Sequence, residues 1–154
     1  MIYYVFNSAN TKDCPVDVIF VLDASASVNE QNFNLTKSFL SELVGRLDVD
    51  SGHTRVGLVP FSANVSREQA FNLIKHLSTA SVQSAISSLN YATLGGTTHT
   101  AAALRYVRTD MLTSVAGDRP KTANVVFVLT DGESNVNETQ TKVCTSAGNV
   151  RRKT

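Results

Sequence analysis

Three oxygen-bearing side chains alternate with alanines in the segment DASAS at residues 23–27. Asp23, Ser25 and Ser27 are spaced i, i+2, i+4, so their side chains project to one side of an extended backbone. One carboxylate and two hydroxyls are hard oxygen ligands, which suit Mg²⁺, Mn²⁺ or Ca²⁺ and not softer metals. The segment therefore predicts part of a divalent-cation site.

Two further segments can complete this site. The apolar runs at 16–22 and 125–129 are typical of strands buried on both faces, and each is followed by an aspartate, Asp23 or Asp131. Ligands of open α/β sheets bind beyond the carboxyl ends of the strands. Thr98 adds a hydroxyl where a Gly-Gly turn leads into a helical segment. We expect three loops to bring together Asp23, Ser25, Ser27, Thr98 and Asp131.

The charges of these side chains suggest what a bound ion would do. Two carboxylates balance one divalent cation formally, and the other protein ligands are neutral hydroxyls. Mg²⁺ prefers octahedral coordination at roughly 2.0–2.1 Å and keeps several waters when the protein supplies few ligands. The ion then has exchangeable positions for an incoming carboxylate, so the site is suited to bridging the protein and an acidic ligand.

The elements that carry these loops alternate between strands and helices. Strands are expected at 16–22, 53–62 and 124–129, with an edge strand at 69–73, and helices at 28–47, 81–89, 101–115 and 139–147. This alternation predicts an α/β fold with a mostly parallel sheet and helices on both faces.

The first helix and the second strand carry more local signals. One helical face collects apolar residues: Phe33, Phe39, Leu40, Leu43, Val44 and Leu47. Ser27 and Glu30 have the spacing of a capping box at the start of this helix. Pro60 favours a position near an edge of the sheet or at a bulge.

The three loops resemble those of von Willebrand factor type A domains, and the resemblance extends from about Cys14 to Val143. DASAS at 23–27 matches the DxSxS motif of the family, GTTHT at 96–100 its threonine loop, and LTDG at 129–132 its second-aspartate loop. In that family these loops form the metal-ion-dependent adhesion site, or MIDAS. The resemblance implies Ser25, Ser27 and, depending on conformation, Thr98 as direct metal ligands. It implies that Asp23 and Asp131 act partly through bound waters.

Among A domains, the sequence is most similar to those of the extracellular matrix, such as matrilins and type VI collagen. The resemblance implies a doubly wound, Rossmann-like fold and a secreted, non-enzymatic module that binds Mg²⁺ (or Mn²⁺ or Ca²⁺). Its partner would be an extracellular protein that presents an acidic side chain, such as a collagen. Thr98 is preferred over Thr97 because residues 98–101 fit the T-x-T-G/A pattern of the family best.

Two other functions remain open. One is an intracellular A domain that serves as an assembly module. The other is a Mg²⁺-dependent phosphate hydrolase with Asp23 as nucleophile, but the sequence lacks GxSxG, GxxxxGK[ST] and a second aspartate two positions after Asp23.

The composition excludes several classes of protein. With 14 basic and 13 acidic residues the net charge is +1, which argues against a nucleic-acid binder. Hydrophobic residues make up 42% and charged residues 18%, as in a globular domain. No apolar run approaches the ~18–20 residues of a membrane span, and the first residues have no basic region and too short an apolar stretch for a signal peptide.

The family pattern continues beyond the second-aspartate loop with a helix, further strands and another helix, whereas this sequence ends within or just after the first of these. We therefore expect an irregular N-terminal segment at 1–13, an A domain at 14–150 that lacks its last strands and helix, and a basic tail at 151–154. The strand at 124–129 would then lie at an unprotected sheet edge.

Cysteines and sequons bear on the compartment. Cys14 and Cys144 could pair in an oxidising environment and would be ordinary thiols in the cytosol. Three sequons place candidate glycan acceptors at Asn34, Asn64 and Asn137 if the protein is secreted.

Overall fold

A five-stranded sheet forms the centre of the structure, a computed structural model that describes residues 2–6, 15–132 and 150–153. The strands are β1 (Ile2–Phe6), β2 (Val16–Asp23), β3 (Thr54–Phe61), β4 (Ala123–Leu129) and β5 (Val150–Lys153). The α-helices are α1 (Asn29–Val44), α2 (Thr79–Ser87) and α3 (Thr100–Tyr106). Among the described residues, none of the helices is long and apolar enough to cross a membrane.

The strand order is β3-β2-β4-β1-β5. Strands β3, β2 and β4 are parallel, with β2 in the middle, whereas β1 pairs antiparallel with both β4 and β5. The predicted α/β fold with a mostly parallel core is thus confirmed. Pro60 lies in β3 at an edge of the sheet, where a residue without an N–H group can be tolerated.

Strand β2 is buried on both faces, as its apolar run predicts. Val18, Phe20 and Leu22 point into the core beneath α1 and α2, where they meet Phe33, Leu40, Val44, Val82 and Ile86. Ile19 and Val21 point to the opposite face and pack with Val59, Phe61, Ala103, Val107 and Met111. Alternation of side chains along one strand therefore anchors helices on both faces of the sheet.

The neighbours of β4 differ from the sequence expectation. Strand β4 was expected at an edge but lies between β2 and β1, with Val5 opposite Val126. The segment 1–13 is predicted to be irregular, yet its residues 2–6 form β1, and β5 consists of residue 150 and residues 151–153 of the predicted basic tail. Backbone N–H and C=O groups along an apolar strand need partners, and antiparallel pairing with residues 2–6 supplies them to β4.

The start of α1 also differs from the sequence expectation. The N-cap position is Val28, and no side chain caps it there, so the capping box of Ser27 and Glu30 is not formed. Instead the Asn29 side-chain oxygen accepts a hydrogen bond from the Asn32 N–H at 3.0 Å. Phe39, which the helical pattern places on the buried face, is 48% exposed. Because Ser27 does not cap α1, its hydroxyl is available for contacts within the loop before the helix.

Two other elements are shorter than expected or differ in kind, and a third cannot be compared. Residues 69–73 contribute only one isolated antiparallel bridge, Leu58 to Phe71, rather than an edge strand. The helix expected at 101–115 ends as α3 at Tyr106, and residues 107–111 form a wider π turn in which the Leu112 N–H donates to the Val107 carbonyl at 2.8 Å. The helix expected at 139–147 lies outside the described residues.

Candidate metal site

The register between β2 and β4 brings two loops to the same end of the sheet. Leu22 lies opposite Leu129 in this parallel pair. The next residues along each strand, Asp23 and Thr130, therefore lie side by side, and Asp131 follows at once. Parallel strands end at the same edge of a sheet, so two residues that are 107 positions apart in the sequence meet there.

Asp23 is a buried carboxylate held from two sides. It is 1% exposed, and its Oδ1 accepts a hydrogen bond from the backbone N–H of Ser25 at 2.8 Å. Its Oδ2 accepts a hydrogen bond from the Thr130 hydroxyl at 2.6 Å. The orientation of this carboxylate is therefore fixed by one donor from its own loop and one from the neighbouring strand.

Ser25, Ser27 and Asp131 form a chain of oxygen atoms beside Asp23. The two serine Oγ atoms lie 3.1 Å apart, and the Ser27 hydroxyl donates to Asp131 Oδ1 at 3.2 Å. Ser25 is buried, whereas Ser27 and Asp131 are exposed. The structure thus brings together four of the five residues that the sequence predicted, and the chain runs from the interior to the surface.

The threonine loop docks directly on the first loop. Gly95 N–H donates to the Ala24 carbonyl and Ala26 N–H donates to the Gly96 carbonyl, both at 3.0 Å. Gly95 and Gly96 have φ values of 72° and 98°, a conformation that favours glycine. Thr98 follows two residues later and is 4% exposed. The fifth predicted residue therefore lies in a loop that is hydrogen-bonded to the residues between Asp23 and Ser27.

Backbone hydrogen bonds from β3 hold both loops in place. The Ala24 N–H donates to the Phe61 carbonyl at 2.8 Å, and the His99 N–H donates to the Ser62 carbonyl at 2.9 Å. The end of β3 is thus a common support for the first loop and the threonine loop.

Two residues of the site were missed by the sequence analysis. The first is Thr130, which binds Asp23 as described above. The second is Tyr91, whose hydroxyl donates to the Ser25 carbonyl at 3.1 Å and whose ring centroid lies 5.5 Å from that of Phe33. No local pattern marks Thr130, because its contact with Asp23 depends on the register between β2 and β4. No sequence signal marks Tyr91, because its contact depends on how a short turn before the threonine loop packs against α1.

The donor set fits a hard divalent cation. Strand β2 carries two buried aspartates, and Asp17 at its start is paired with Arg119 at 2.7 Å. Among the described residues, Asp23 has no basic partner, and its contacts are neutral donors. Burying an unpaired carboxylate is costly, and a cation held by Asp23, Asp131 and the serine hydroxyls would compensate the charge. Within this part of the chain, no cluster of three or more His, Cys, Asp or Glu side chains offers an alternative site.

The predicted modification sites are placed only in part. Asn34 on α1 and Asn64 on the turn after β3 are both exposed. Cys14, Cys144 and Asn137 lie outside the described residues, so their pairing and modification remain predictions.

Comparison with known sequences identifies the family. The family model of the von Willebrand factor type A domain matches residues 17–153. Collagen alpha-4(VI) chain of Mus musculus is 39% identical over 122 residues, which are 78% of this chain and 5% of the collagen chain. Matrilin-1 of Homo sapiens is 37% identical over 118 residues, 77% of this chain and 23% of the matrilin. The chain thus spans a small part of the length of these relatives.

Solved structures agree with the fold. Proximal thread matrix protein 1 from the mussel byssus superposes with a TM-score of 0.75 at 26% identity, covering 88% of this chain and 36% of that chain. A second structure of the mussel protein, with a TM-score of 0.73 at 24% identity, has a zinc-occupied MIDAS motif. The chain belongs to the von Willebrand factor type A domain family and is of the extracellular-matrix type found in matrilins and type VI collagen.

Proposed function

We propose that this chain is a non-enzymatic, divalent-cation-dependent adhesion module whose ion is Mg²⁺, with Mn²⁺ or Ca²⁺ as substitutes. Ser25, Ser27 and, depending on conformation, Thr98 would be direct ligands, and Asp23 and Asp131 would act partly through bound waters. The observation that carries this proposal is the oxygen chain from Ser25 through Ser27 to Asp131, at 3.1 and 3.2 Å. It lies beside a buried aspartate, Asp23, that has no basic partner in the part of the chain that the structure describes.

The proposed ligand is an acidic side chain of an extracellular protein. Two carboxylates neutralise a divalent ion, and hydroxyl ligands leave it enough Lewis acidity to attract a further carboxylate. Asp131 and Ser27 are exposed, so the surface end of the site is open to a partner. The extracellular location of matrilins and type VI collagen supports a matrix protein such as a collagen as that partner. It also supports glycans at the exposed Asn34 and Asn64.

The hydrolase alternative requires Asp23 as a nucleophile, and its environment argues against this role. The carboxylate is 1% exposed, and both of its oxygens already accept hydrogen bonds. A nucleophile needs an oxygen that can approach the substrate within bonding distance. The buried position of Asp23 therefore supports a structural and electrostatic role.

Calorimetric titration of Mg²⁺ and Mn²⁺ tests the metal site. We expect Asp131→Asn, which keeps the size of the side chain but removes one of two charges, to weaken binding by at least about tenfold. The control is Asp48→Asn, which makes the same chemical change far from the site. Asp48 lies at the opposite end of the sheet, where its backbone carbonyl accepts a hydrogen bond from the N–H of Thr54. Equal affinities in the wild type and Asp131→Asn would contradict the proposal. Zn²⁺ belongs in the same series because the mussel protein has zinc in its MIDAS motif.

A binding assay on immobilised collagen tests the partner. Binding should require Mg²⁺, disappear in EDTA and be lost when glutamates of a collagen peptide are replaced by glutamines. Binding that persists in EDTA would contradict the proposed mechanism of adhesion, whatever the calorimetry shows.

A further inference from the structure

Thr130 connects the two halves of the candidate metal site. Its Oγ1 lies 2.6 Å from Asp23 Oδ2, 3.1 Å from the Gly132 carbonyl oxygen and 3.3 Å from the Gly132 backbone nitrogen. Both Thr130 and Asp23 are buried, with 8% and 1% exposure. One side chain thus contacts the buried carboxylate of the first loop and the turn that carries Asp131.

The distances indicate where the hydroxyl proton lies. A threonine hydroxyl has one proton and can donate it to only one of the two acceptors. A separation of 2.6 Å is in the range of charge-assisted O–H···O⁻ hydrogen bonds, whereas 3.1 Å to a neutral carbonyl is longer and weaker. The hydroxyl therefore donates to Asp23 and accepts from the Gly132 N–H.

The hydroxyl of Thr130 restrains Asp23 in a way that its own loop does not. The N–H of Ser25 holds only Oδ1, so without Thr130 the carboxylate can rotate about that single contact. Threonine is also suited to the task because its branched Cβ restricts χ1 and thereby the position of Oγ1.

From this geometry, and resting on the proposed metal site, we infer that Thr130 is a positioning residue for the bound cation. It holds Asp23 in the orientation needed for the cation and its waters, and it ties the turn of Asp131 to the same carboxylate. Residues that orient metal ligands typically change metal affinity by 10–100-fold when they are replaced.

The test compares Mg²⁺ affinities of full-length variants by calorimetry. Thr130→Val keeps the shape and removes the hydroxyl, and we expect an affinity at least about tenfold below that of the wild type. Thr130→Ser restores the hydroxyl and should bind within about threefold of the wild type. The matched control is Thr54→Val, a buried threonine at the start of β3, which should leave the affinity unchanged.

Thermal unfolding without metal separates positioning from folding. We expect Thr130→Val, or Thr130→Ala if the valine variant does not fold, to unfold cooperatively and still bind Mg²⁺ weakly. The inference is wrong if a folded Thr130→Val binds like the wild type, or if Thr130→Ser binds as weakly as Thr130→Val. It is also wrong if both variants without the hydroxyl fail to fold, since the role would then be structural. Absence of Mg²⁺ binding by the wild type would overturn the proposed function itself.

Discussion

At the scale of single residues, the two buried aspartates of β2 differ in how their negative charge is compensated. Asp17 is fully buried, and Arg119 reaches it with its Nε at 2.8 Å and its backbone N–H at 2.9 Å. The same guanidinium also donates to the carbonyls of Gly52, Val16 and His53. Asp23, six residues later, lacks a basic partner among the described residues. The protein therefore neutralises one carboxylate internally, and the other is suited to an exchangeable cation.

This contrast predicts a large loss of stability in Arg119→Ala. The substitution leaves Asp17 buried without its counter-charge, and breaking a buried pair in this way costs about 3–5 kcal/mol. Arg46→Ala is the control, because the Arg46–Glu42 pair is largely exposed and such pairs contribute about 0.3–0.5 kcal/mol. Urea unfolding measures both differences. Similar, small losses of unfolding free energy in the two variants would show that Arg119 does not stabilise the start of β2.

At the scale of elements, the sequence located the buried strands well and their partners poorly. Strands β2 and β4 were predicted to within a residue or two, because continuous apolar runs mark strands buried on both faces. The pairing of β4 with residues 2–6 joins distant parts of the chain, and no local pattern specifies it. The predicted cap of α1 failed for a related reason: Ser27 uses its hydroxyl for Asp131, 104 residues away, instead of the helix.

The start of α2 provides a prediction about pH. Asp50 accepts hydrogen bonds from the Thr79 hydroxyl at 2.7 Å and the Thr79 N–H at 3.0 Å. These bonds, the hydroxyl first, lower the pKa of Asp50 below its ordinary value of 3.8. The ionised carboxyl therefore stabilises the fold above pH 3.8, and this contribution is lost as the pH falls through the lowered pKa.

Chemical unfolding at several pH values tests this contribution. The wild type should be more stable than Asp50→Asn near neutral pH, and the difference should shrink as the solution is acidified below pH 3.8. Glu68→Gln, which changes another exposed carboxyl, serves as the control. A difference between wild type and Asp50→Asn that is independent of pH would contradict the assignment.

At the scale of the whole molecule, the candidate site depends on long-range register. The sequence identified Asp23, Ser25, Ser27 and Asp131 because their motifs are local and follow recognisable strands. It could not show that Thr130 contacts Asp23, since that contact requires β2 and β4 to be adjacent, parallel and in one particular register. The contact of Tyr91 with Ser25 is also long-range, since it depends on how the turn that carries Tyr91 packs against α1. The identity of the ligand residues is local information, whereas the residues that orient them are defined by the fold.

The Asp17–Arg119 pair and the candidate metal site lie at opposite ends of β2. This separation predicts that the ion pair and a bound cation stabilise the fold independently. Asp17 and Asp23 are six residues apart on one strand, or roughly 20 Å at about 3.3 Å per residue. A ligand that binds only the folded state at 100 times its Kd stabilises it by about 2.7 kcal/mol. We therefore expect Mg²⁺ to raise the free energy of unfolding of the wild type and of Arg119→Ala by similar amounts, because the effects of distant sites add. Calorimetric melting with Mg²⁺ and with EDTA measures this increment, and Asp131→Asn should lose it. If Mg²⁺ no longer stabilises Arg119→Ala, the two ends of the sheet are coupled. The Asp17–Arg119 pair would then stabilise the metal-binding loops as well as the start of β2.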